Sequence, residues 1–115
     1  MWISQQIIAA HKTQPQAQLG TVTGSEQTEI AAQGTGEYRH VPAAAPYGIA
    51  CLPPDGAQAV ILASNAGNVC VGTLAEAKDL QAGELMLYSA GGASIYLKNS
   101  GEVVINGQVF AAKGG

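Results

Sequence analysis

The chain has 115 residues, of which only 11% are charged, and a formal net charge of −3 at pH 7. That length admits one compact domain, or one small domain followed by an extended appendage, and excludes a second large core. The five basic residues, Lys12, Arg39, Lys78, Lys98 and Lys113, are scattered, so nothing forms an electrostatic track for nucleic acid.

Hydrophobic residues make up 47% of the chain, but the large ones are scarce: one Trp, one Phe, four Tyr and two Met. The core of an isolated copy is therefore expected to be thin. Fifteen glycines and five prolines favour short strands joined by tight turns over a helical bundle. A chain with so little charge and a positive mean hydropathy is expected to hide surface against copies of itself or partners. Cys51 and Cys70 each lie in an apolar run and read as buried free thiols. No stretch reaches membrane-spanning length, and Met1 to Ala10 lacks a basic start, so neither signal peptide nor anchor is expected.

In chain order, Ile3 to Ala10 is apolar-rich, and Trp2 beside it either docks the amino terminus or anchors an interface. Gln16 to Gly36 is polar with alternating β-favouring positions, Leu19, Val22 and Ile30 among them, and reads as two or three solvated strands. Glu37 to Val41, bracketed by glycines and prolines, reads as a loop or short edge strand, with Pro42 to Pro46 as a connector. Tyr47 to Leu52, the turn Pro53-Pro54-Asp55-Gly56 and the run Ala57 to Ala63 read as a hairpin with a buried return strand. Asn65 to Asn68 supplies a turn, and Val69 to Thr73 the next strand. Leu74 to Leu80 favours a helical turn, marginal at that length.

After Gly83 the texture changes. Leu85 and Leu87, Ile95 and Leu97, Val103 and Ile105, then Val109 recur in short alternating segments separated by Gly91-Gly92, Gly101 and Gly107. In each unit of this weak repeat an apolar pair can face inward while Tyr, Lys, Ser or Asn faces outward. One chain cannot cover such narrow faces, but three wound together can, with glycines at the corners. The pattern predicts an intertwined trimeric β-helix with Leu85, Leu87, Ile95, Leu97, Val103 and Ile105 on its axis.

Three segments carry a family resemblance: Pro46 to Ala50 followed by Leu52 to Leu62, then Leu80 to Tyr88, then Gly92 to Lys98 with Gly101 to Gly107. In this order they resemble the Mu-type phage baseplate assembly proteins, the gpV-like central spike family. Members carry a "pYGf" element, a "P-x-x-G-A-E-A" turn, an "L-x-x-G-E-x-x-L-Y" segment and an "I-x-L-x-x-x-G-x-V-x-I" progression. The resemblance covers roughly residues 20 to 110. It implies an all-β chain: an N-terminal OB-type five-stranded barrel over residues 1–80, then an intertwined triple-stranded β-helix over 81–115, built by a homotrimer. It further implies a structural role on the tail axis of a virion baseplate, assembled in the bacterial host cytoplasm, with other baseplate and hub proteins as partners. Longer members bind iron at an apical His-x-His, whereas His11 and His40 both precede the repeat here, so no apical metal is expected. The chain stops soon after Phe110, so the spike is expected to be stubby, and a separate tip protein is a further candidate partner.

No other chemistry competes. His11, His40, Asp55 and the cysteines lack the short spacing of a metal site, and no nucleophile stands near a base or paired carboxylates, so no metal, cofactor or catalytic residue is expected. Gly34-Thr35-Gly36 and Gly91-Gly92 read as turns rather than phosphate loops. Tyr88 and Tyr96, eight positions apart, form either an aromatic ladder for a partner or a shield for the outer face. The alternative of another class is a soluble OB-type module that binds carbohydrate or peptide.

Overall fold

The computed structural model describes residues 17–76 and 78–114. Trp2, the run Ile3 to Ala10 and His11 lie outside the described residues. The fold is all-β: nine strands in two antiparallel sheets, with no helix among the described residues. The chain divides into two compact units, Met1–Ala75 and Glu76–Gly115.

In the first unit, β1 (Ala17–Glu26), β2 (Glu29–Gln33), β3 (Glu37–Pro42), β4 (Gln58–Ser64) and β5 (Gly67–Thr73) form one sheet in the order β3-β2-β1-β4-β5. The stretch after Gln16, expected to be solvated, supplies β1 and β2, which turn through Gln27 at φ 57° and bury Val22, Ile30 and Ala32 on one face while the other stays open. Glu37 to Val41 becomes the edge strand β3. Alternate positions point inward, as the two-residue period of a strand requires. Val22, Ile30, Ala32, Val41, Ala59, Ile61 and Cys70 make the core, with Tyr38 and Ala57 packed against it. No member of the buried cluster is larger than isoleucine, which is the thin core that the composition implied.

The connector after β3 reaches across to β5. Ala43 forms a parallel bridge with Cys70, and the Ala44 N–H donates to the Cys70 carbonyl at 2.8 Å. The two edges of the sheet therefore meet through this pair of residues.

Several local expectations need correction. Tyr47 to Leu52 is not a strand, so the predicted hairpin has no first arm. The Ile49 N–H is taken by the Pro46 carbonyl at 3.0 Å, Gly48 sits at φ 93°, and the two prolines that follow offer no N–H for a ladder. The turn at Gly56 docks on β1 instead, with Gly56 N–H to Val22 O and Val22 N–H to Ala57 O both at 2.8 Å. The return strand β4 is not buried throughout. It alternates, with Ala59 and Ile61 inward and Leu62 exposed. Leu74 to Leu80 forms no helix at its described positions. Leu74 donates to the Gln58 carbonyl, and Leu80 closes a tight turn onto the Lys78 carbonyl at 2.7 Å, since a segment this short cannot repay helix nucleation.

Both cysteines are free. Cys70 is buried, but Cys51 is exposed, contrary to expectation, because the segment that carries it never joins the sheet.

In the second unit, β6 (Leu85–Tyr88), β7 (Ser94–Leu97), β8 (Val103–Ile105) and β9 (Gln108–Phe110) form an antiparallel meander in sequence order. Its corners fall at the glycines. Gly92 and Gly101 have φ 97° and 92°, and Asn106 and Gly107 have φ 49° and 85°. The last pair gives positive φ at both central positions of a two-residue hairpin turn, which Asn-Gly adopts at little cost.

Candidate functional site

The second unit presents the most distinctive surface. Across the ladders Leu85 opposes Leu97, Leu87 opposes Ile95, Ile95 opposes Ile105, Leu97 opposes Val103, and Val103 opposes Phe110. Opposed residues point to the same side of a sheet. Leu85, Leu87, Ile95, Leu97, Val103 and Ile105 thus share one continuous face across β6, β7 and β8, and Phe110 extends it to β9. Within the single chain this face is open: Leu85, Leu87, Ile95, Leu97 and Ile105 are between 39% and 53% exposed, and Val103 is partly buried.

Phe110, itself half exposed, was not singled out from the sequence. The signal was there. A two-residue Asn106-Gly107 turn pairs Ile105 with Gln108 and hence Val103 with Phe110. By the same count Val109, which the repeat pattern suggested, pairs with Val104 on the opposite side.

That opposite side carries Met86, Val104 and the exposed Val109 together with a network of polar side chains. Lys78 Nζ lies 4.2 Å above the Tyr88 ring, and Lys98 Nζ 5.8 Å from that of Tyr96. Tyr96 donates its hydroxyl to Glu84 Oε1 at 2.5 Å, and the N–H groups of Gln81 and Asn99 donate to the same carboxylate, each at 2.9 Å. The Asn99 amide in turn donates to the Ala82 carbonyl at 2.9 Å. Glu84 thereby ties the entry to β6 to the turn after β7. Its pKa is lowered from the ordinary value, first by the Tyr96 hydrogen bond and then by the two backbone donors. The Tyr96 phenol is raised correspondingly, chiefly by its bond to Glu84.

The first unit holds two open grooves. One is lined by Thr28, Ala43 and the loop from Ala45 to Leu52, including the fully exposed Tyr47. The other gathers Glu26, Glu29, Glu37, Arg39 and His40. Here His40 Nδ1 is 3.2 Å from Glu29, and Arg39 pairs with Glu37 at 2.6 Å, all on exposed side chains. Asp55 stays in its turn, far in sequence from this group. Among the described residues no three His, Cys, Asp or Glu side chains converge to hold a metal ion.

No known protein family, characterised protein or solved structure matches this chain.

Proposed function

We propose that the chain is a structural piece of a phage or prophage-like contractile tail, a homotrimeric central spike or hub component on the axis of the baseplate, and not an enzyme. The observation that carries this reading is the open face built by Leu85, Leu87, Ile95, Leu97, Val103 and Ile105. Covering the half of each aliphatic side chain that still meets water contributes about 1 kcal/mol. With six such residues in each of three copies, that comes to the order of 15–20 kcal/mol, set against the cost of association and of ordering the side chains.

Two features of the fold support the finer architecture. The order β3-β2-β1-β4-β5, with Ala43 meeting Cys70 in parallel, is consistent with an OB-type five-stranded barrel in the first unit. In the second, strands of three or four residues cornered by glycines suit a triple-stranded β-helix whose apolar pairs stack along a three-fold axis. Backbone pairing between copies would then occupy the strand edges and stiffen the shaft. Other baseplate and hub proteins, and a separate tip protein, are the partners such a piece would take.

The test is the mass in solution, measured by light scattering coupled to gel filtration, with a heated sample alongside. A heat-resistant species of three times 11.7 kDa is expected. A dimer would replace the spike by a face-to-face sandwich. A monomer would favour the other reading, a carbohydrate- or peptide-binding module, for which the groove at Tyr47 is the available surface.

A further inference from the structure

The chain has four asparagines, Asn65, Asn68, Asn99 and Asn106, and only Asn106 is followed by glycine. A side chain on the following residue shields its backbone nitrogen, and glycine has none. Asn106 and Gly107 are exposed and make the whole of the turn between β8 and β9. The ladder bonds on either side of this turn belong to Ile105 and Gln108, so the Gly107 N–H stands outside the sheet. A Cβ built on Gly107 would meet nothing within 4 Å.

The Asn106 side chain is held by its oxygen. Oδ1 accepts from the Ser94 N–H at 2.9 Å, while the Asn106 N–H donates to the Ser94 carbonyl at 3.0 Å. The amide nitrogen Nδ2 makes no hydrogen bond to another of the described residues. Asn99 is held the other way round. Its Nδ2 donates to the Ala82 carbonyl at 2.9 Å, and Ser100 follows it. Asp55-Gly56 has a similar shape to Asn106-Gly107, but there the Gly56 N–H is committed to the Val22 carbonyl at 2.8 Å. Asn106 alone thus combines a glycine nitrogen outside the ladder, an anchored carbonyl oxygen and an untied amide nitrogen.

We propose that Asn106 is a self-modification site, where the Gly107 nitrogen attacks the Asn106 side-chain carbonyl and the amide is lost as ammonia. The bond from the Gly107 nitrogen to Cγ forms and the Cγ–Nδ2 bond breaks. The proton given up by the Gly107 nitrogen leaves with the ammonia, and a cyclic imide closes between the two residues. Negative charge develops on Oδ1 as the nitrogen adds, and the Ser94 N–H already stands at that oxygen. Ser94 is therefore a positioning residue. Water then opens the imide, at Cγ to give aspartate or at the main-chain carbonyl to give isoaspartate. Aspartate keeps the acceptor for Ser94 and adds a negative charge. Isoaspartate puts a methylene into the main chain of a two-residue turn, so Gln108 loses its place opposite Ile105 and Phe110 its place opposite Val103. The reaction takes place within one chain and does not rest on the spike reading.

The test is to keep the full-length protein in mildly alkaline buffer and follow each asparagine by peptide mass spectrometry, with the aspartate and isoaspartate products separated by chromatography. Asn106 is expected to convert severalfold faster than Asn65, Asn68 or Asn99. Ser94→Pro removes the N–H but keeps the carbonyl, at the first position of β7, where a strand tolerates proline. In that variant conversion of Asn106 should slow severalfold, with the strand signal in circular dichroism unchanged. An Asn106 that stays intact in the wild type overturns the proposal, whether or not another asparagine converts. Conversion in Ser94→Pro as fast as in wild type, or faster, overturns the role given to Ser94. If Ser94→Pro misfolds, the wild-type chain in denaturant supplies the second test. The preference for Asn106 over Asn99 should shrink there, because the bonds to Ser94 and Ala82 are both lost, and an unchanged preference means that the fold does not select the site.

Discussion

Leu85 and Leu97 stand directly opposite each other across the β6–β7 ladder, and each leaves two fifths or more of its surface open to water. A pair so placed is the natural point at which to break an assembly without touching the fold of the chain. In the proposed trimer, Leu97→Asp would put a carboxylate into the centre of the covered face, where an unpaired charge costs several kcal/mol per copy. The expected outcome is a fall from trimer to monomer in light scattering. Tyr88→Ser, on the other side of the same sheet, should keep the trimer mass. A stable trimer of Leu97→Asp would remove this residue from the axis.

Glu84 gives a prediction in pH. Its folded pKa lies below the ordinary carboxylate value, so its contribution is present above the unfolded pKa and is lost as pH falls through the folded one. Tyr96 works in the opposite sense. Its pKa is raised, so its contribution is complete below the unfolded phenol value and is lost as pH rises through the folded one. Lys98, which favours the ionised Glu84, and Asp79, which opposes ionisation of Tyr96, act in the same directions. Glu84→Gln turns an amide donor toward a backbone N–H and should lower the melting temperature near neutral pH. The gap to wild type should close on acidification below the carboxylate range. A gap that is constant with pH would show that the carboxylate charge plays no part.

Much of this fold is legible as punctuation and alternation. The glycine-spaced pairs after Gly83 became β6 to β9 because turn residues and a two-residue period are local signals that packing had no reason to override. The six residues read as inward-facing share one face for the same reason: a strand of three or four residues has only one register that puts both apolar members together. What could not be read depends on partners distant in sequence. Nothing near Ala43 announces that it will meet Cys70, and nothing in Tyr47 to Leu52 says that β1, rather than this segment, will pair with β4. Apolar content alone suggested a strand there, but a proline on either side and a glycine at positive φ took the backbone out of the ladder.

The two thiols should be told apart by reaction rate. Cys51 is exposed on the loop beside Tyr47, whereas Cys70 is among the most deeply buried residues of the first unit and lies 3.4 Å from the Gly72 carbonyl. An aromatic disulfide reagent is expected to titrate one thiol per chain rapidly and the second only when denaturant opens the sheet. Cys51→Ser should abolish the fast phase. Two fast thiols in the native protein would contradict the pairing of β5 with β4, since that pairing is what buries Cys70.

Gly34 and Gly36 flank the same turn but should answer differently to a methyl group. A Cβ at Gly34 would come within 2.5 Å of the Leu19 carbonyl oxygen and 3.4 Å of the Gly20 Cα, while one at Gly36 meets nothing within 4 Å. The obstacle at Gly34 is backbone on a central strand, so no rotamer change relieves it and β1 must move away from the turn. Gly34→Ala is therefore expected to cost about 1–3 kcal/mol in denaturant unfolding, the usual range for overpacking. Gly36→Ala should be close to neutral or slightly stabilising through the lost freedom of the unfolded chain. Equal effects at the two positions would mean that the turn does not approach Leu19 in solution.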